Sequence, residues 1–79
     1  MIKERFDNDP GKSPFHIGDL VLPINPEWPQ ALYLVLQIQW DTDNKEWYFT
    51  GIVQTTGRKD WFYTSFFQLM VRNDGKAQR

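Results

Sequence analysis

The segment Leu32-Tyr33-Leu34-Val35-Leu36-Gln37-Ile38-Gln39-Trp40 alternates between two kinds of position. Leu32, Leu34, Leu36, Ile38 and Trp40 fall on one face of an extended chain, and Tyr33, Val35, Gln37 and Gln39 fall on the other. A period of two over this length predicts a β-strand. Asp41-Thr42-Asp43-Asn44 supplies turn residues, and the chain returns as KEWYFTGIVQ, with Trp47, Phe49, Gly51 and Val53 on one face. Two strands joined by a short Asp/Asn-rich link predict a hairpin. Gly51, inside the second strand, predicts a bulge or sharp bend.

Shorter elements flank this hairpin. Phe15 to Pro23 contains a Gly18-Asp19 turn followed by Leu20-Val21-Leu22, a short first strand stopped by Pro23. Pro23, Pro26 and Pro29 then fall within seven residues, a spacing compatible only with a stiff surface loop. After the hairpin, Thr55 to Lys59 forms a turn and Lys59 to Thr64 a fourth strand. Ser65-Phe66-Phe67 predicts a single 3₁₀ turn before a short fifth strand, Gln68 to Arg72. Residues 1–14 are polar and broken by Pro10-Gly11 and Pro14, which predicts a flexible N-terminal arm with Phe6 as its only large apolar group. Residues 73–79 read as a polar tail. The expected fold is all-β: one domain of five short strands over residues 15–72, in a closed or nearly closed sheet.

Several chemistries are excluded by composition. Seventy-nine residues with no cysteine and His16 as the only histidine leave no disulfide and almost no route to zinc. No cofactor or metal is expected. Thirteen aromatic residues supply the bulk that so short a chain needs for a core. Net charge is −1, with residues 1–46 at −4 and residues 47–79 at +3. Arg58, Lys59 and Arg72 could form a small basic patch, though not a strong nucleic-acid footprint. Lys12 follows Gly11 without the glycine and strand context of a phosphate loop. His16, beside Gly18-Asp19, reads as turn chemistry, so the chain is expected not to be an enzyme. Asp41-x-Asp43-x-x-Glu46 lacks the glycine and oxygen ligands of a calcium loop and also reads as a turn. No apolar leader or membrane-length apolar run occurs, and a cytoplasmic location is expected.

The order Gly18-Asp19-Leu20-Val21, an irregular loop, Leu34-Val35-Leu36-Gln37-Ile38, a hairpin, and Trp61-x-Tyr63-x-Ser65-x-Phe67-Gln68-Leu69-Met70 resembles the SH3-like small barrels. It is most similar to the short GDLV-type barrels common in tailed-phage genomes, including those infecting cyanobacteria. Such proteins often carry a glycine before the second strand, where this chain has Tyr33-Leu34. Their third strand often ends in W-x-D-G, where this chain continues through Thr50-Gly51-Ile52-Val53. The resemblance covers residues 15–71 and implies a five-stranded SH3-like barrel in a small phage-type protein, located in host cytoplasm or virion.

Alternation places Trp47, Phe49, Trp61 and Tyr63 together, with Tyr48 and Phe62 pointing the other way. A small barrel has one interior, so Trp28, Tyr33, Tyr48 and Phe62 are the expected outward patch, unless the proline loop and N-terminal arm cover them. Trp61, Tyr63, Phe66 and Leu69 are expected to close the barrel, with Phe67 a further candidate beside Phe62 for the outward side. Three uses of exposed rings are distinguishable. One is docking on a viral or host protein. The alternative is stacking of single-stranded nucleic acid beside Arg58, Lys59 and Arg72. The third is a cation cage of Trp40, Trp47, Trp61 and Tyr63, with Asp41 or Asp60 as its acid.

Overall fold

The computed structural model describes residues 11–73, so residues 1–10 of the expected arm, Phe6 among them, and residues 74–79 of the expected tail lie outside the described part. The chain is all-β. Strands β1 (Leu20–Pro23), β2 (Tyr33–Asp41), β3 (Glu46–Val53), β4 (Lys59–Tyr63) and β5 (Phe67–Val71) are joined by turns, with one 3₁₀ turn, η1 (Thr64–Phe66), before β5. They form one antiparallel sheet in the order β4-β3-β2-β1-β5. Among the described residues β4 and β5 share no backbone ladder, so the sheet is open rather than closed. Its two edges nevertheless meet through side chains, because the Phe62 and Phe67 rings lie 5.3 Å apart.

The core is built around Phe49, which is fully buried. Phe15 and Phe67 meet its ring edge-on at 5.9 and 5.1 Å, and Phe62 lies tilted against it at 5.8 Å. Val21, Val35 and Tyr33 complete the buried set. Edge-to-face rings at these separations stabilise beyond the area they remove from water. In a chain with few aliphatic core residues, that packing is the main source of cohesion.

The face assignment of β2 departs from simple alternation. Val35 pairs with Gly51 and Gln37 with Thr50, so Leu36 is an extra residue in β2 with no partner in β3. This bulge shifts the phase of the strand. Tyr33 and Val35 point into the core before it, and Ile38 and Trp40 share the core face after it, paired with Phe49 and Trp47. Gly51 stands opposite the bulge for a steric reason. A Cβ at that position would sit 2.7 Å from Cε2 of Phe49 and 3.3 Å from the Leu34 carbonyl oxygen. The glycine lets the core ring lie flat on the backbone while β2 bends over it.

A second device fastens the N-terminal end of the fold to the end of β5. Asp19 is fully buried, and its carboxylate accepts bonds from the backbone N–H groups of His16 (2.7 Å) and Asn73 (2.7 Å). Nε of Arg72 lies 3.3 Å from the same carboxylate. Nη2 of Arg72 donates to the Pro14 carbonyl (2.9 Å), and Nη1 lies 3.2 Å from both ring nitrogens of His16. Gly18, at φ +95°, completes the clasp, since a Cβ there would fall 2.3 Å from Nδ2 of Asn73. The donors named here for the Asp19 carboxylate thus come from His16, Arg72 and Asn73, near the two ends of the described chain.

Candidate functional site

Cross-strand pairing decides which rings face outward. Tyr48 pairs with Tyr63, Phe49 with Phe62 and Thr50 with Trp61. Residues directly opposite one another share a face. Phe62 therefore joins Phe49 on the core side, while Tyr48, Trp61 and Tyr63 stand together on the other side with Gln39 and Thr50. This reverses the expected roles in β4: Trp61 is 54% exposed, and Phe62 is half-buried against the core. The reversal has a simple cause. Residues 61–63 are all aromatic, so either phase of β4 buries a ring, and its partner Phe49 selects Phe62.

The other expected anchors are corrected in the same way. Tyr33 is only 7% exposed, with its ring edge-on to Phe62 (5.2 Å) and Phe67 (5.0 Å). It is a core residue because the Leu36 bulge gives the first half of β2 the opposite phase. Trp28 is half-buried, lying against Phe66 at 5.6 Å and Phe67 at 6.1 Å. The proline loop folds it over the core, where it serves as a lid on the 3₁₀ turn. Tyr48 alone of the four keeps its expected outward position. Phe66 and Leu69, expected inside, are exposed, and Phe67 is buried.

Tyr48, Trp61 and Tyr63 form a compact trio. Their centroids are 5.5, 6.2 and 5.3 Å apart and every pair is T-shaped. Beside it a shallow groove of about 520 Å³ is lined by Gln39, Trp40, Asp41, Tyr48, Thr50 and Trp61, with Thr42 at its end. The trio is held from below the hairpin turn. The Tyr63 hydroxyl donates to Asp41 (2.7 Å), whose carboxylate also accepts from the Asn44 side chain (2.9 Å) and from the backbone N–H groups of Asp43 and Asn44. The Tyr63 hydroxyl, followed by Asn44, holds the Asp41 carboxyl below its ordinary range, and the same bond to Asp41 pushes the Tyr63 phenol up. Asp41 is thus engaged in shaping its own turn, and Glu46 accepts from the Ser65 hydroxyl.

The expected cation cage is not assembled. Trp40 and Trp61 both border the groove, but Trp47 pairs with Trp40 at 5.4 Å on the core side, away from Trp61 and Tyr63, so the four rings do not surround one point. The expected basic patch is dispersed as well. Arg72 is engaged in the Asp19 clasp. Arg58 lines a separate cleft of about 210 Å³ with Tyr33, Val53, Asp60 and Phe62. Lys59, paired with Ile52, is the one member of the three on the same face as the trio. Among the described residues no cluster of three or more His, Cys, Asp or Glu side chains could hold a metal ion. Nor is any helix long and apolar enough to cross a membrane.

Compared with known protein families, curated proteins and solved structures, the chain matches none.

Proposed function

We propose that this chain is an SH3-like small barrel of the phage type that works by binding another protein, viral or host, through the outer face of β3 and β4. The strand order and the Phe62–Phe67 contact between the two edge strands support the barrel reading. Trp61 carries the functional one. An indole left 54% exposed on a domain this short of apolar mass forgoes burial that folding could use. Tryptophan and tyrosine beside a groove are the residue types most enriched at the energetic centres of interfaces. Tyr48 and Trp61 are the anchors in this reading, and Gln39 and Thr50 offer hydrogen bonds along the groove floor. The role is non-enzymatic: His16, the only histidine, lies against the Arg72 guanidinium in the clasp.

Nucleic-acid binding is the second reading, and the position of Lys59 on the trio's face favours it. It is the weaker one, because Arg72 is engaged elsewhere and Asp41 and Glu46 flank the other end of the sheet. The two readings separate in one experiment. The tagged protein, Trp61→Ala and Tyr48→Ala are each used to capture protein from host lysate and to shift single-stranded DNA at low salt. The protein-binding reading expects a captured partner that both substitutions release while the circular dichroism melt is retained. Capture unaffected by either substitution refutes it, and a DNA shift abolished by Lys59→Ala and by added salt establishes the alternative.

A further inference from the structure

The groove beside the trio has an electrostatic character of its own. Three rings, Trp40, Tyr48 and Trp61, border it, and Asp41 is its one charged lining residue. Tyr48 stands edge-to-face with Trp61 at 71°, so these two rings make a corner rather than a flat wall. Oδ1 of Asp41 accepts from the backbone N–H groups of Asp43 and Asn44, and Oδ2 accepts from the Asn44 side chain and the Tyr63 hydroxyl. All four donors are neutral. Their bonds, that of Tyr63 foremost, keep the carboxyl ionised through neutral pH. Among the described residues no Lys or Arg lines the groove, so a full negative charge stands there with no cation against it. The neighbourhood reinforces that sign. Asp43 follows in the turn and Glu46 pairs with Asp41 across the hairpin, against the single base Lys45. Lys59 stands opposite Ile52, two cross-strand pairs beyond Trp61 and outside the groove.

From this arrangement we propose that the groove takes an arginine side chain of the protein partner, its guanidinium lying in the Tyr48–Trp61 corner beside Asp41. The inference rests on the protein-binding reading and names what that site grips. Ring faces attract cations, tryptophan most strongly, and the carboxylate adds its own attraction. The state of Asp41 then selects among cations. A carboxylate has about four lone-pair positions, and here four donors already occupy them. An incoming group therefore meets the charge but finds no free acceptor on it. A lysine ammonium is compact and strongly hydrated, and would lose water with little to replace it. A guanidinium is weakly hydrated and stacks on aromatic rings through its flat face. Its in-plane N–H groups are matched by the side-chain oxygens of Gln39 and Thr50, which line the same groove. The groove, at about 520 Å³, lies within the range of about 300–1,000 Å³ typical of sites for small molecules, so a long side chain has room. A phosphate or an acidic side chain would instead meet like charge at Asp41.

The test is an NMR titration of the isotope-labelled full chain at low salt with the N-acetyl amides of arginine, lysine and citrulline. Citrulline keeps the shape of arginine without its charge. The expected result is a shift of the Trp61 indole that grows with the arginine probe, a smaller one with lysine and none with citrulline. Trp61→Ala, followed at the Tyr48 amide, should weaken arginine binding roughly two- to fivefold, the scale of an exposed cation–π contact. Asp41→Asn can keep Oδ1 on the two backbone N–H groups, and it should weaken binding as well, as should added salt. The far-ultraviolet melt verifies that both variants fold, and the comparison of arginine with citrulline on the wild type needs neither. No shift with arginine, equal shifts with arginine and citrulline, or arginine binding undiminished in Asp41→Asn overturns the assignment. A lysine shift as large as that of arginine overturns the choice of guanidinium. These outcomes are independent of the lysate capture: a partner released by Trp61→Ala, on a chain whose indole ignores the arginine probe, leaves the protein-binding reading standing and refutes this one.

Discussion

Replacing Asp19 should cost this domain more than replacing the arginine that faces it. The Asp19 carboxylate is fully buried, whereas the Arg72 side chain is 37% exposed. Removing the carboxylate in Asp19→Ala leaves the His16 and Asn73 N–H groups and the Arg72 guanidinium without their acceptor. Each buried donor left without an acceptor costs about 1–3 kcal/mol, and two are left here. Domains hold roughly 0.05–0.15 kcal/mol of stability per residue, or about 4–12 kcal/mol at this length. Asp19→Ala should therefore remove a large part of the total. Asp19→Asn keeps one acceptor oxygen and should fall between that variant and the wild type. Arg72→Gln leaves Asp19 bonded to two backbone donors and opens the vacated side to water, so its loss should stay near about 1 kcal/mol. Urea unfolding followed by tryptophan fluorescence reads these differences directly. With a slope of about 1 kcal/mol per molar for a small protein, a 3 kcal/mol loss lowers the midpoint by roughly 3 M. Equal losses for Asp19→Ala and Arg72→Gln, or an Asp19→Ala midpoint unchanged from wild type, would refute the clasp.

The remaining predictions concern the β2 bulge and the hairpin turn. Gly51→Ala places a methyl 2.7 Å from the buried Phe49 ring. An overpacking cost of about 1–3 kcal/mol exceeds the roughly 0.4–1 kcal/mol gained from a stiffer unfolded chain, so the variant should melt several degrees lower; a melt at or above wild type contradicts the account. For the turn, the lowered Asp41 carboxyl contributes stability that is present above its ordinary pKa of 3.8 and lost as pH falls through the depressed folded value. Tyr63, raised, contributes below its ordinary 10.0, and that contribution is lost as pH rises through the elevated folded value. Tyr63→Phe should accordingly move the Asp41 carboxyl titration, followed by carbon-13 NMR, upward, and an unmoved midpoint would show that the hydroxyl bond does not set it.

Strand positions were legible from the sequence because turn residues and the period of two are local signals. All five strands and the 3₁₀ turn fall within one or two residues of the expected places. The inside–outside partition was harder to read, and each error has a physical origin. An unpaired Leu36 reverses the phase of β2 midway, and alternation read across it assigns Tyr33 to the wrong side. The signal was present opposite, in Gly51, but a glycine does not say which strand carries the extra residue. In β4 three consecutive aromatics erase the pattern altogether, and only the pairing with Phe49 resolves it. Arg72 looked like a free cation because its partners, Pro14, His16 and Asp19, lie more than fifty positions away in the chain. The hairpin turn was the most legible part of the candidate site, since Asp41 and Asn44 act within four residues of each other.

The direct measurement is amide and indole NMR mapping on the isotope-labelled chain as the captured partner is added. Binding through the outer face of β3 and β4 requires the largest perturbations at Gln39, Tyr48, Thr50 and the Trp61 indole. Perturbations confined to Phe67–Val71, or gathered at Arg58 and Asp60 with the Trp61 indole unmoved, would contradict it.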